Sequence, residues 1–173
     1  MNECSPNAIV VRIVTTMTVI VHRLPAAAFS DGRLCAVELS AADLEADVVA
    51  RLLASVSAHA DGFPPLSAKG LAADVRGRSG RVVRAWSAIR TDGAAQGLIS
   101  LAEAAVRGKR RFSIPWLVVD PRDRRQGVGT KLVHVALAAA AEAGATDVNV
   151  ETLSTWTAAA AFWARLARRT APG

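Results

Sequence analysis

The chain contains no tyrosine, and phenylalanine and tryptophan together bring its aromatic share to only 5%. No phenol is available as a proton donor, and a tryptophan indole is an N–H donor that does not titrate usefully. Lysine occurs only at Lys69, Lys109 and Lys131, so arginine supplies nearly all the positive charge in a chain of formal net charge +6. Two arginine clusters stand out, Arg107 to Arg111 and Arg122 to Arg125. Neither is interleaved with the aromatics of a single-strand stacking platform, so nucleic acid is not the expected partner, and the first cluster reads as a solvated strand connection. Cys4 and Cys35 can form one bridge at most. That is too few for a disulfide scaffold and points to a reducing, cytoplasmic setting.

Long apolar runs are lacking too. Hydrophobic residues make up 51% of the 173 residues but are spread through periodic segments, which argues for a soluble protein without a membrane partner. Ala8 to Val21 is apolar and Ala26 to Ala28 resembles a small-residue cleavage site. Against a signal peptide, Glu3 occupies the region that should be basic, and Arg12 and three threonines interrupt the stretch. Residues 1–34 are expected to stand outside the main fold as an extension, with an extra strand as the alternative, and residues 35–173 to form one domain.

What is present is alternating periodicity. Ala36 to Leu39 is strand-like, and Ser40 with Asp43 three residues on has the spacing of a capping box. Leu44, Val48, Leu52 and Val56 then recur at helical spacing, which predicts one amphipathic helix to about His59. Asp61, Gly62, Pro64 and Pro65 break it, and a weaker helix is expected over Ser67 to Val75. Val82 to Ile89, Leu98 to Val106 and Phe112 to Val119 read as three antiparallel strands, with Asp92-Gly93 as a hairpin signal. Val128 to Ala139 returns to helical spacing until Gly144, Asp147 to Thr152 is a further strand, and a last helix covers about Thr157 to Arg168. The fold class is α/β (α+β): a mixed, mostly antiparallel central sheet with helices on both faces.

The junction after the third of those strands carries the chemistry. A helix opening near Gly127 leaves its first N–H groups without intrahelical acceptors and places the positive end of its dipole there, so an anion is the natural ligand. Gly127 and Gly129 lack a Cβ and let a diphosphate approach the backbone, while Arg124 and Arg125 add charge-assisted donors. A P-loop is excluded because no glycine stands at the required position before Gly129-Thr130-Lys131, and the third glycine of a dinucleotide fingerprint is replaced by Leu132.

Arg124-Arg125-Gln126-Gly127-Val128-Gly129 matches every fixed position of RxxGxG, and with the preceding Leu117-Val118-Val119-Asp120-Pro121 the sequence resembles the GCN5-related N-acetyltransferases (GNAT) over about Val37 to Leu166. The resemblance implies an N-acetyltransferase that takes acetyl-CoA as co-substrate, with no metal, and passes the acetyl group to a primary amine by direct attack in a ternary complex. It assigns CoA binding to Leu117, Val118, Val119, Arg124, Arg125, Gln126, Gly127, Val128, Gly129 and Thr130. The pyrophosphate would sit on the amides of Arg125 to Thr130, the pantetheine arm would bond Leu117 and Val119, and the thioester would lie in a splay between the family's fourth and fifth strands, beside Val119. An oxyanion would be held by backbone N–H of the fourth strand.

Two departures from the family follow. Its tyrosine acid falls in a run that aligns here with Trp156 and Trp163, leaving Ser154 or Thr157 to hydrogen-bond the sulfur, with Trp163 able only to pack against the pantetheine. Glu151 is the first candidate for the base, and Glu103 and His59 are further ones. Trp86 and Trp116 read as sheet packing, and Phe63 as a wall of the acceptor site. The family also continues with two more strands after its last helix, and here the closing strands are missing. The exposed edge is expected to pair either with Ile9 to Val21 or with a second copy in a homodimer. The acceptor class, a small-molecule or peptide amine, is left open by the sequence. So are two rivals: a catalytically weak or inactive acyl-CoA-binding module, and a basic protein associated with nucleic acid.

Overall fold

The computed structural model describes residues 10–14, 17–25, 36–58, 67–76 and 81–169. Cys4, Cys35, His59, Phe63 and the loop around Pro64 lie outside the described residues. Along the chain stand β1 (Val10–Val14), β2 (Met17–Pro25), β3 (Ala36–Leu39), α1 (Ala41–Leu44), α2 (Asp47–Ser57), α3 (Ala68–Val75), β4 (Arg81–Ile89), β5 (Ala95–Val106), β6 (Lys109–Val119), α4 (Val128–Glu142), β7 (Asp147–Leu153) and α5 (Thr157–Arg169). The strands form one seven-stranded sheet in the order β1-β2-β7-β6-β5-β4-β3. Every neighbouring pair is antiparallel except β6 with β7.

The first helical stretch departs from its expected form. The capping box forms as read, with Ser40 N–H donating to Asp43 Oδ2 at 2.8 Å and Asp43 N–H to Ser40 Oγ at 3.2 Å. Ala46, however, is extended at φ −67° and ψ 152° and caps a second helix. The break shifts the apolar face by one position: Val49 and Leu53 are buried alongside Leu44, Leu52 and Val56, while Val48 is only half-buried. A periodic sequence shows the stripe but not a two-residue interruption within it.

One tight turn and one bulge shape the sheet. Arg107 and Gly108 both have positive φ, 51° and 75°, the pattern of a two-residue hairpin whose twist suits the flanking strands. β6 accordingly starts at Lys109, within the arginine cluster, and all of residues 107–111 are exposed. The β5–β6 register then slips: Ser100 faces Trp116 but Ala102 faces Ser113, so Leu101 opposes the pair Ile114 and Pro115. This is a bulge, and proline is tolerated there because it has no ladder N–H to lose. The extra residue exchanges the faces of β6. Phe112 and Ile114 point into the core under α4 and α5, Leu117 and Val119 rejoin that face, and Trp116 and Val118 turn toward α1, α2 and α3.

The described part of the N-terminal segment does not stand outside the fold. β2 runs antiparallel to β7 from Val19 opposite Leu153 to Pro25 opposite Asp147, and β1 pairs with β2 beyond it. Leu24 is fully buried in the core that also holds Val148 and Val150. Of the two pairings expected for the β7 edge, the one with the N-terminal segment is found, through Val19 to Pro25, which removes the reason for invoking a second copy there.

Gly97 fixes how closely β5 and β6 approach under α4. A Cβ built on it would lie 2.8 Å from the Val118 carbonyl oxygen and 3.0 Å from Leu132 Cδ1. Because one contact is backbone and the other a fully buried side chain, neither yields readily. Gly97→Ala is predicted to destabilise the fold by about 1–3 kcal/mol, read as a lower urea midpoint with unchanged slope; an unaltered midpoint would show that the sheet can part there freely.

Candidate active site

β6 and β7 are parallel neighbours that meet at a single rung, Ser113 with Asn149. β6 is held along its other edge by β5, and β7 by β2, so beyond the rung the two strands form the walls of a gap. Asp120 N–H donates to Gln96 O at 2.8 Å. Alternation from that bond directs the backbone groups of Val118 and Trp116 toward β5 as well, and those of Val119 and Leu117 into the gap. Val118 is thus set apart from its neighbours, its backbone used by the sheet and its side chain buried toward α2. Pro115 brings no N–H, so Leu117 is the first residue past the rung to present one to the gap.

At the mouth of the gap the chain turns through a short 3-10 segment, Pro121–Asp123, into α4. Two buried aspartates hold this turn. Asp120, 1% exposed, accepts from Arg122 N–H at 2.9 Å and from the Arg122 guanidinium at 3.0 and 2.8 Å. Asp123, 6% exposed, pairs with Arg90 and accepts from Gln96 Nε2 at 3.4 Å, tying the turn to the β4–β5 hairpin. Sequence reasoning missed these supports, although an Asp directly before Pro is the signature of a capped turn. The bonds from Arg122 hold the Asp120 carboxyl down from 3.8 to about 2.

Beyond them the turn is open. Arg125 has φ 65° and Gly127 φ 81°, both left-handed. Gly127 is the N-cap of α4 and offers no side-chain cap, and no acidic residue occupies the first turn. The amides of Val128, Gly129 and Thr130 therefore point out of the helix end without intrahelical acceptors. Arg124, Arg125 and Gln126 are exposed around them, with Arg124 Nε 3.4 Å from Val119 O and Gln126 Nε2 donating to Arg122 O at 3.1 Å. Val128 contributes backbone only, since its side chain is buried in the core. A Cβ on Gly127 would meet nothing within 4 Å, so glycine is required there by its backbone angle; one on Gly129 would sit 3.5 Å from Phe162 and from Val119.

That contact corrects the reading of the last helix. Trp163 is buried in the core, and the aromatic beside Gly129 and Val119 is Phe162, in edge contact with Trp163 at 5.0 Å and flanked by the Arg165 guanidinium. No sequence signal distinguished them, because helix phase depends on how α5 docks. Trp86 is buried and Trp116 half-buried against the two cores, as sheet packing.

Of the base candidates, Glu151 is exposed on β7, on the face opposite Val150 and Thr152. That face also carries Asn149 and, across the gap, Trp116. Ser154 is half-buried in the turn between β7 and α5, and Thr157 is exposed. Glu103 is removed from consideration: it pairs with Arg110, which also donates to Ala143 O at the far end of α4. No group of three or more potential metal ligands occurs among the described residues, and no described helix is long and apolar enough to cross a membrane.

The mixed sheet, the gap and the helix end together define an acetyltransferase fold. The sequence profile of the acetyltransferase (GNAT) family matches residues 58–167, more than half of the chain, and the chain belongs to that family. Curated proteins give no match by sequence. Among solved structures, it is similar to the aminoglycoside acetyltransferase meta-AAC0020 from an uncultured soil metagenomic sample, solved with sisomicin: TM-score 0.58, 21% identity, covering 79% of this chain and 86% of that one. A GCN5-related glucosamine N-acetyltransferase region of a fungal multi-domain GH3 beta-N-acetylglucosaminidase gives a TM-score of 0.57 at 20% identity, over 70% of this chain and 14% of that much longer one. A GCN5-related N-acetyltransferase from Anabaena variabilis gives 0.56 at 11% identity, over 78% of this chain and 33% of that one. At these identities the likeness is one of fold.

The depressed carboxyl gives a pH test of the turn. Because the folded pKa of Asp120 lies below its unfolded value, its contribution is present above about pH 4 and fades as pH falls toward 2. Asp120→Asn should therefore be less stable than wild type at neutral pH, with the difference shrinking between pH 4 and 2. Urea midpoints across that range would check it; a constant difference would mean that Asp120 acts without its charge.

Proposed function

We propose that the chain transfers an acetyl group from acetyl-CoA to a primary amine by direct attack in a ternary complex. The observation that carries the reading is the uncapped N-terminus of α4, which opens at the mouth of the β6–β7 gap just after the exposed Arg124 and Arg125. The amides from Arg125 to Thr130 take the CoA pyrophosphate, aided by Arg124 and Arg125. Pantetheine lies along the outward backbone groups of Val119 and Leu117 as an added strand, with Phe162 covering its apolar length. The thioester then reaches the narrow part of the gap, where Leu117 N–H is aimed at the oxyanion.

The acceptor approaches from the face that carries Glu151 and Trp116. Its nitrogen attacks as the free amine, and Glu151 takes the proton, directly or through a water. The acceptor belongs to the small-molecule or peptide amines. Amino sugars come first in a panel, because the names of two structural neighbours specify an aminoglycoside and a glucosamine.

Calorimetric titration with acetyl-CoA tests the donor site. Wild type should bind, and Arg124→Ala or Arg125→Ala should weaken binding on the order of tenfold each. Gly129→Leu, which fills the space between the helix end and Phe162, should abolish it; undiminished binding by that variant would remove the pyrophosphate from this turn.

For turnover, thiol release over an amine panel should proceed in wild type and fall on the order of a hundredfold in Glu151→Gln, with the affinity for acetyl-CoA unchanged. Tight donor binding with no turnover on any amine would convert the reading to a binding module.

A further inference from the structure

Within the family reading, the chain has no tyrosine to meet the leaving sulfur, and Trp163 is locked in the core. Elsewhere the structure holds polar atoms that nothing satisfies. His22 is 1% exposed and Thr152 3% exposed, and His22 Nδ1, His22 Nε2 and Thr152 Oγ1 have no hydrogen-bond partner among the described residues. Burial alone depresses the His22 pKa, so the ring sits there neutral, with one N–H and one bare nitrogen. Buried polar groups are ordinarily paired, and three unpaired atoms on two adjoining strands form a local concentration that stability does not explain.

Their placement relates them to the gap. His22 is opposite Val150 and Ile20 opposite Thr152 in the β2–β7 ladder, so His22 and Thr152 are diagonal neighbours. Both share the sheet face of Val148 and Val150, beneath α5. The two side chains make no hydrogen bond to each other in the free chain, but a diagonal pair lies within reach of a side chain as long as histidine once a donor draws the hydroxyl into line. Thr152 is three residues beyond the Ser113–Asn149 rung. Counting the bulged residue, the same distance along β6 arrives at Leu117, whose side chain is on the same face and whose N–H enters the gap.

We propose that the Thr152 hydroxyl donates a hydrogen bond to the leaving sulfur, and that His22, carried in by the N-terminal hairpin, is the positioning residue that orients it. The proposal rests on the acetyl-transfer reading above. In the step, the amine nitrogen forms its bond to the carbonyl carbon and the carbon–sulfur bond breaks. Its electron pair goes to sulfur, which leaves as a thiolate accepting from Thr152 Oγ1–H. The proton lost by nitrogen passes to Glu151, and the thiolate is protonated from solvent on release. No acid stronger than a hydroxyl is needed, because a thiol of pKa about 8.5 is already a fair leaving group.

The test uses Thr152→Val, Thr152→Ser, His22→Leu and His22→Gln in the full chain, with acetyl-CoA as donor. Thr152→Val should keep the calorimetric affinity and KM for acetyl-CoA while kcat falls about tenfold or more, and Thr152→Ser should recover most of it. His22→Leu should lower kcat in the same way, with His22→Gln intermediate. With an acetyl thioester of an aryl thiol, whose sulfur leaves unaided, wild type and Thr152→Val should react alike. Because the replaced groups are buried and unpaired, Thr152→Val and His22→Leu should melt at or above the wild-type temperature. Unchanged kcat in Thr152→Val, an equal defect with the aryl thioester, or a melting temperature that falls along with activity would each overturn the proposal. An active wild type with an unaffected Thr152→Val sinks this assignment alone; a wild type that neither binds nor turns over acetyl-CoA sinks the acetyl-transfer reading with it.

Discussion

Two strands that lie side by side yet share one rung are under an unusual constraint, since each must find its backbone partners elsewhere or leave them to a ligand. Here β6 is satisfied by β5 and β7 by β2 along their outer edges, so the gap between them can stay open without loosening the sheet. Everything assigned to the site depends on this. No described strand pairs with β6 on that side beyond the rung, so the outward amides of Leu117 and Val119 are left to the gap, and β6 terminates where α4 opens at Gly127.

The turn joining β6 to α4 is firm in one half and open in the other. Its first half is closed by Asp120 and Asp123, whose charges are spent on Arg122 and Arg90. Its second half, from Arg124 to Gly129, has two left-handed residues and no cap of its own. A rigid approach followed by unsatisfied donors is what preorganised anion binding requires, since the donors need not be ordered when the ligand arrives. The supporting carboxylates neutralise the neighbouring arginines and leave the outer ones as the local excess of charge.

Much of this could be read from the amino acids alone. The strand over Ala36 to Leu39 and the helix start after Gly127 follow from alternation and from glycine, which report local geometry. What escaped the sequence was set by tertiary contacts. The break at Ala46 moved Val49 inward in place of Val48, the bulge at Pro115 exchanged the faces of β6, and the docking of α5 chose Phe162 over Trp163 for the site. Glu103 looked available until its partner Arg110 was seen across the hairpin. His22 gave no signal at all, because its meaning depends on a strand more than a hundred residues away.

That last pairing also orders events during synthesis. Leu24 and His22 emerge early, but the strand they pack beside, with Val148 and Val150, follows only after the three-strand meander and α4 have been made. Contacts of such sequence separation carry a large loop-closure penalty and form late. The apolar hairpin must therefore remain unattached on the ribosome while the rest of the sheet assembles, exposed to whatever holds nascent chains. The far wall of the gap is finished last, after the turn that opens α4 has already been made.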